Sequence, residues 1–109
     1  MAQLPGETGD EPIIRKVVLV TVTVHIPQFL QHLTNGVTSV QANGGTVGDC
    51  LNDLVVDFPQ LKELLFEKEG ILHDYLDVFI NRESAYPEEL AQPVKDGDEL
   101  NIVKIIVGG

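Results

Sequence analysis

The chain of 109 residues has one cysteine, no tryptophan and only seven lysines and arginines. A single cysteine closes no internal disulfide, so stability must come from a packed core, which suits a reducing compartment. Seven basic residues against seventeen acidic ones, a formal net charge of -10, set the surface against phosphate backbones and argue against nucleic-acid binding. A basic protein partner fits better. His25, His32 and His73 form no i, i+4 pair and have no cysteine neighbour, so no metal-ligating pattern is present. The apolar run "VVLVTVTVHI" is broken by threonines and a histidine and is too short for a membrane span. "MAQLPGETGDEP" lacks the basic region and apolar stretch of a secretory signal. A cytoplasmic location without membrane attachment is therefore expected. "NGGTVGDC" lacks the Lys-Ser/Thr ending of a phosphate loop, so Gly44 and Gly45 read as the turn before a helix. No nucleophile, base and oxyanion site assemble, and the chain is not expected to be an enzyme or to bind a cofactor of its own.

What is present describes an α+β domain. Hydrophobic residues make up 43% of the chain, enough for one compact domain over residues 17–109, preceded by an acidic, Gly- and Pro-bearing extension, 1–16, expected to be disordered. Val18, Val20, Val22, Val24 and Ile26 alternate with Leu19, Thr21, Thr23 and His25, predicting a first strand that Pro27 ends. "QFLQHLTNG" reads as a connection with one helical turn, and "VTSVQA" as a second, weaker strand. From Thr46 the period changes. Val47, Cys50, Leu51, Leu54, Val55 and Phe58 recur at three and four, with Thr46 and Asp49 placed as a capping box, so the main helix runs to about Phe58, before Pro59. "PQLKELLF" reads as a second short helix and "LDVFIN" as a third strand. "RESAYPEELAQPV" reads as an irregular, solvated stretch, and Asp96-Gly97 as a turn into a last strand from Glu99 to about Val107. The first and last strands, nearly continuous in apolar residues, belong at the centre of a mixed sheet. Cys50, in the helix with no adjacent His or Lys, reads as a small buried hydrophobe.

The end of the chain poses a separate question. "KIIVGG" stops at two glycines, which lose the most backbone freedom on ordering and add nothing to packing. Gly108 and Gly109 are either a frayed end or the working part.

"GGTVGDCLNDL" opening the helix, "DVFIN" in the third strand and "VKDGDELNIVKIIVGG" at the end together resemble the ubiquitin-like β-grasp sulfur carriers: the small molybdopterin-synthase subunit, the thiamin sulfur carrier and the cysteine-biosynthesis carrier. "HIPQFLQHLTNG" is similar to the subgroup that includes the last of these. "KIIV", where the family has a Pro-rich approach to the diglycine, and "RESAYPEEL" depart from the pattern. The resemblance implies that a partner E1-like enzyme adenylates the carboxylate of Gly109 with ATP, and that a sulfur donor converts it to a thiocarboxylate for a sulfur-accepting enzyme. Val107 and Gly108 would thread the tail into the partner's cleft. Residues 106–109, extended, reach roughly 13 Å. Two other functions share this chemistry or this tail: a ubiquitin-like modifier joined to lysines, and a small interaction subunit of a molybdopterin-synthase-like complex.

Alternation also predicts a docking patch. Phe79 on the third strand and Val103 and Ile105 on the last point away from the core, with Leu19 of the first strand at the margin. Lys104 falls on the inward face and would mark a bulge if the alternation failed.

Overall fold

The structure, a computed structural model, describes residues 19–68 and 70–105; the expectations for residues 1–16 and for Val107, Gly108 and Gly109 lie outside the described residues.

Alternation in the first apolar run produces strand β1, Thr21–His25, whose Val22 and Val24 are fully buried while Thr21 and Thr23, which alternate with them, are half-buried. A 3-10 turn, Gln28–Leu33, follows Pro27 and buries Leu30. The chain reverses at Asn35 and Gly36, both at positive φ, and returns as β2, Ser39–Asn43. Helix α1, Val47–Asp57, begins where predicted: the Thr46 side chain accepts from the Asp49 amide at 3.1 Å. This satisfies one of the free amides of the first turn. Its Val47, Cys50, Leu51 and Leu54 are fully buried against the sheet, and the helix stops at Phe58, ahead of Pro59. Gly44 is required by a close approach. A Cβ there would lie 2.5 Å from Asp49 Cβ and 2.9 Å from the backbone of Asp49 and Cys50.

A 3-10 turn, Pro59–Leu61, leads into the short helix α2, Lys62–Leu65. Next comes an element the sequence pattern does not announce, a small antiparallel pair of β3, Phe66–Lys68, and β4, Ile71–Leu72. Strand β5, Leu76–Ile80, turns through Asn81 and Arg82, at φ 50 and 82, into the two-residue β6, Glu83–Ser84. Positive φ at both central residues marks the tight hairpin turn that matches strand twist. After a 3-10 turn at Glu89–Ala91 the chain ends its described part in β7, Glu99–Lys104.

The five-stranded sheet has the order β2-β1-β7-β5-β6. β1 and β7 pair in parallel at its centre, and all other pairings are antiparallel. The weaker strands hold the edges, as expected. Leu76, Val78, Leu100 and Ile102 join Val22, Val24 and the apolar face of α1 in one core. The "RESAYPEEL" stretch is not simply solvated: Ala85 and Glu89 are buried, because the Ala85 amide donates to Val78 O at 2.9 Å and draws the chain across the β5 edge.

Candidate functional site: the root of the C-terminal tail

Strand β7 carries the end of the chain, and its start is held by the "DGDEL" residues. Gly97, at φ 90, closes a turn in which Asp98 N donates to Lys95 O at 3.0 Å and Lys95 N donates to Asp98 Oδ2 at 2.8 Å. A side chain at Gly97 would be strained there. Asp96 Oδ1 accepts from Thr21 N at 3.0 Å, and Gly97 N donates to Thr21 O at 2.8 Å, fixing the turn to β1. On the other flank, Asn81 Nδ2 donates to Asp98 Oδ1 at 2.7 Å and Glu99 N donates to Asn81 Oδ1 at 2.9 Å. Asp96 and Asp98 of the motif thus do structural work by accepting from amides, while the third acid, Glu99, pairs with His25.

The far end of β7 is held as well. Ile105 N donates to Tyr75 O at 2.7 Å. The Tyr75 ring stacks on His73 with centroids 4.7 Å apart, while His73 Nε2 donates to Glu63 O at 2.9 Å and binds this corner to α2. The register between β5 and β7 is unbroken from Ile80 opposite Leu100 to Leu76 opposite Lys104, so no bulge shifts the faces. Lys104 stays on the helix side, beyond the end of the core, with its ammonium 5.4 Å from the centre of the Phe29 ring. That contact lets a cation occupy an inward position.

The docking residues separate into two groups. Asp77 lies opposite Val103 and Phe79 opposite Asn101, so Phe79 and Val103 are diagonal neighbours on the outer face, both half-buried. Ile105 continues that face with 36% of its surface exposed. Leu19 does not belong with them. β1 and β7 run parallel with Thr23 opposite Glu99, so Leu19 lies toward the Lys95 end of β7 and Val103 toward the Pro27 end of β1. Eight residues at 3.3 Å place them about 26 Å apart along the strands. The outer face between is polar: Gln41 Nε2 donates to Thr23 Oγ1 at 2.9 Å, and His25 and Glu99 pair at 2.9 Å.

Sequence reasoning missed the groups behind Ile105. Asp77, placed by alternation on the open face, is 7% exposed, and Glu89 9%. Asp77 accepts from Ser84 Oγ and from Val78 N. Burial, and then the neighbouring Asp77 carboxylate, push the Glu89 carboxyl above its ordinary range. The sequence carries no signal for this, since Glu88 and Glu89 are identical side chains in one acid-rich run. Burial, with Asp49 and Asp53 nearby, pushes the Cys50 thiol up to about 11. It is a poor nucleophile. Among the described residues no group of His, Cys, Asp and Glu could hold a metal ion, and no helix is long and apolar enough to cross a membrane.

Comparison with known proteins places this geometry. The ThiS family model matches residues 24–109. The sulfur carrier protein CysO of Mycobacterium tuberculosis (strain ATCC 25618 / H37Rv) is 34% identical over 91 residues, covering 81% of this chain and 98% of that protein. The crystal structure of the Amycolatopsis orientalis BexX/CysO complex contains a chain 38% identical, with a TM-score of 0.72 over 81% of this chain and 99% of that one. The solution structure of small archaeal modifier protein 1 from Methanosarcina acetivorans is 28% identical, with a TM-score of 0.73 over 85% of this chain and all of that one, 100%. The fold is therefore the ubiquitin-like β-grasp, a mixed sheet with one main helix.

Proposed function

Because this chain belongs to the ThiS family, we propose that it is a sulfur carrier whose Gly109 carboxylate is adenylated by a partner E1-like enzyme and then converted to a thiocarboxylate. The observation that supports this most is the mounting of β7: a central strand, Glu99–Lys104, is held at both ends, by the Asp96–Asp98 turn and by the bond from Ile105 N to Tyr75 O, and Ile105 stands four residues before Gly109 in the sequence. A carboxylate is a poor acyl donor. Attack of its oxygen on the α-phosphorus of ATP releases pyrophosphate and makes adenylate the leaving group, and a sulfur nucleophile from a donor then displaces AMP. The carrier contributes an acyl group on a narrow tail, and the partner supplies ATP and catalysis. Gly108 and Gly109 suit this role because they let nucleotide and backbone approach closely, and Val107 threads behind them. Phe79, Val103 and Ile105, on the face that ends at the tail, are the residues for docking.

Intact-mass measurement on protein purified from its own host tests the proposal. Replacement of one oxygen by sulfur is expected, and a C-terminal tag should abolish pyrophosphate exchange with the cognate activating enzyme while leaving the melting temperature unchanged. Normal exchange by the tagged protein would sink the reading. Likeness to small archaeal modifier protein 1 supports a second reading, conjugation through Gly109 to lysines of other proteins. Slower-migrating adducts on many proteins would identify it. Absence of both sulfur and adducts would favour a fixed subunit of a molybdopterin-synthase-like complex.

A further inference from the structure

Beside the root of the tail the 85–91 segment and the β3–β4 pair enclose a cleft. Ile71, Leu72, Pro87 and Leu90 line one half and Leu72, Tyr86, Pro87 and Ile105 the other, with Glu89 shared by both. Ile71, at 43%, and Tyr86, at 69%, are among the most exposed large apolar side chains described. The lining contains the acids Asp74, Glu88 and Glu89 and the imidazole of His73, and no lysine or arginine among the described residues. Behind Glu89 stands Asp77, itself buried. Glu89 at the apolar opening therefore has a second buried carboxyl group, Asp77, as its neighbour, and the described lining holds no lysine or arginine to offset them.

We propose that this cleft receives an arginine side chain from the protein that encloses the tail, its methylenes against Leu72, Pro87 and Ile105 and its guanidinium on Glu89. The proposal rests on the reading that a partner receives Gly109. Four residues beyond Ile105 span roughly 13 Å, so a protein that encloses the terminal carboxylate must press its rim against the surface around Ile105. A chain of net charge -10 selects a basic rim. Among basic side chains the planar guanidinium matches carboxylate geometry and is the more weakly hydrated, so it enters a half-buried site at the smaller desolvation cost. The upward push on the Glu89 carboxyl from burial and from Asp77 is what an added cation would relieve.

The probe is the peptide acetyl-Leu-Arg-Leu-amide, titrated into the full chain and followed by NMR of the methyl groups and side-chain carboxyl carbons, beside the same peptide with neutral citrulline in place of arginine. Expected are shifts at Ile71, Leu72, Ile105 and the Glu89 carboxyl, and affinity for arginine about tenfold above citrulline, the effect of one well-placed charge contact. Glu89→Gln, which copies the protonated carboxyl in shape, should remove that preference; Ile71→Ser, at an exposed position, should weaken both peptides alike. Equal titration by the two peptides, a preference that survives in Glu89→Gln, or shifts confined to other acidic surfaces would overturn the proposal. An arginine preference in a protein that never carries sulfur would leave the cleft standing and remove the carrier reading; loss of the preference in a sulfur-bearing protein does the reverse.

Discussion

Asn81 and Asp98 are joined side chain to side chain at 2.7 Å, and the same asparagine accepts from the Glu99 amide at 2.9 Å. The β5–β6 turn is thus tied to the turn that starts β7. Asn81 can do this because it sits at φ 50, a conformation asparagine tolerates better than most residues. Asp98→Ala removes the acceptor for both Asn81 Nδ2 and Lys95 N. A loss of about 1 to 3 kcal/mol is expected in urea unfolding. A change near zero would show that water replaces both bonds.

Gly44→Ala tests the close approach over the first turn of α1. The atoms in the way include backbone of Asp49 and Cys50, which cannot swing aside as a flexible side chain would. The helix must shift from the sheet, at about 1 to 3 kcal/mol. A thermal melt reads it, and an unchanged midpoint would place the loop elsewhere.

Glu89 makes stability depend on pH in a definite direction. Its carboxyl is raised in the folded state from the ordinary 4.5, so the native protein holds the proton more tightly than the unfolded chain does. The stabilisation is complete below pH 4.5 and is lost as pH rises through the folded value. Glu89→Gln keeps the neutral shape at every pH. Its melting temperature should gain on that of the parent as pH rises from 4 toward neutrality, because the parent alone acquires a buried charge. Parallel pH curves for the two proteins would refute the assignment.

Phe79→Ala addresses docking. Phe79 is half-buried on the outer face, and truncation of an aromatic anchor costs binding more than about 1 kcal/mol. Calorimetric titration with the activating enzyme should show that loss while the melting temperature moves little. Full affinity in the variant would move the contact off the sheet face.

Periodicity revealed the elements whose residues are numerous enough to repeat. The alternation Val22–Val24, the three-four spacing from Val47 to Leu54, and Leu76–Val78 all appear in the core. Strands of two or three residues, β3, β4 and β6, offer no repeat to detect, because they exist through pairing and not through a pattern of their own. The docking residues fared unevenly for a related reason. Alternation assigns Phe79 and Val103 to one face, but only register tells how far along the strand a residue stands, and the parallel pairing of Thr23 with Glu99 removes Leu19 from their company. Asp77 and Glu89 were illegible because their burial comes from the path of residues 85–91, set by backbone bonds such as Ala85 N to Val78 O.

The parallel pairing of β1 with β7 also has a mechanical meaning. A pull on the C-terminal end of β7, resisted at the N-terminal end of β1, loads the ladder from Thr23–Glu99 to His25–Asn101 along its length, so its hydrogen bonds strain together instead of parting one after another. An antiparallel pair pulled from its open end would unzip. Tension applied through the tail therefore meets the sheet in shear, and under force the rate of unfolding is set by that barrier and not by the equilibrium stability.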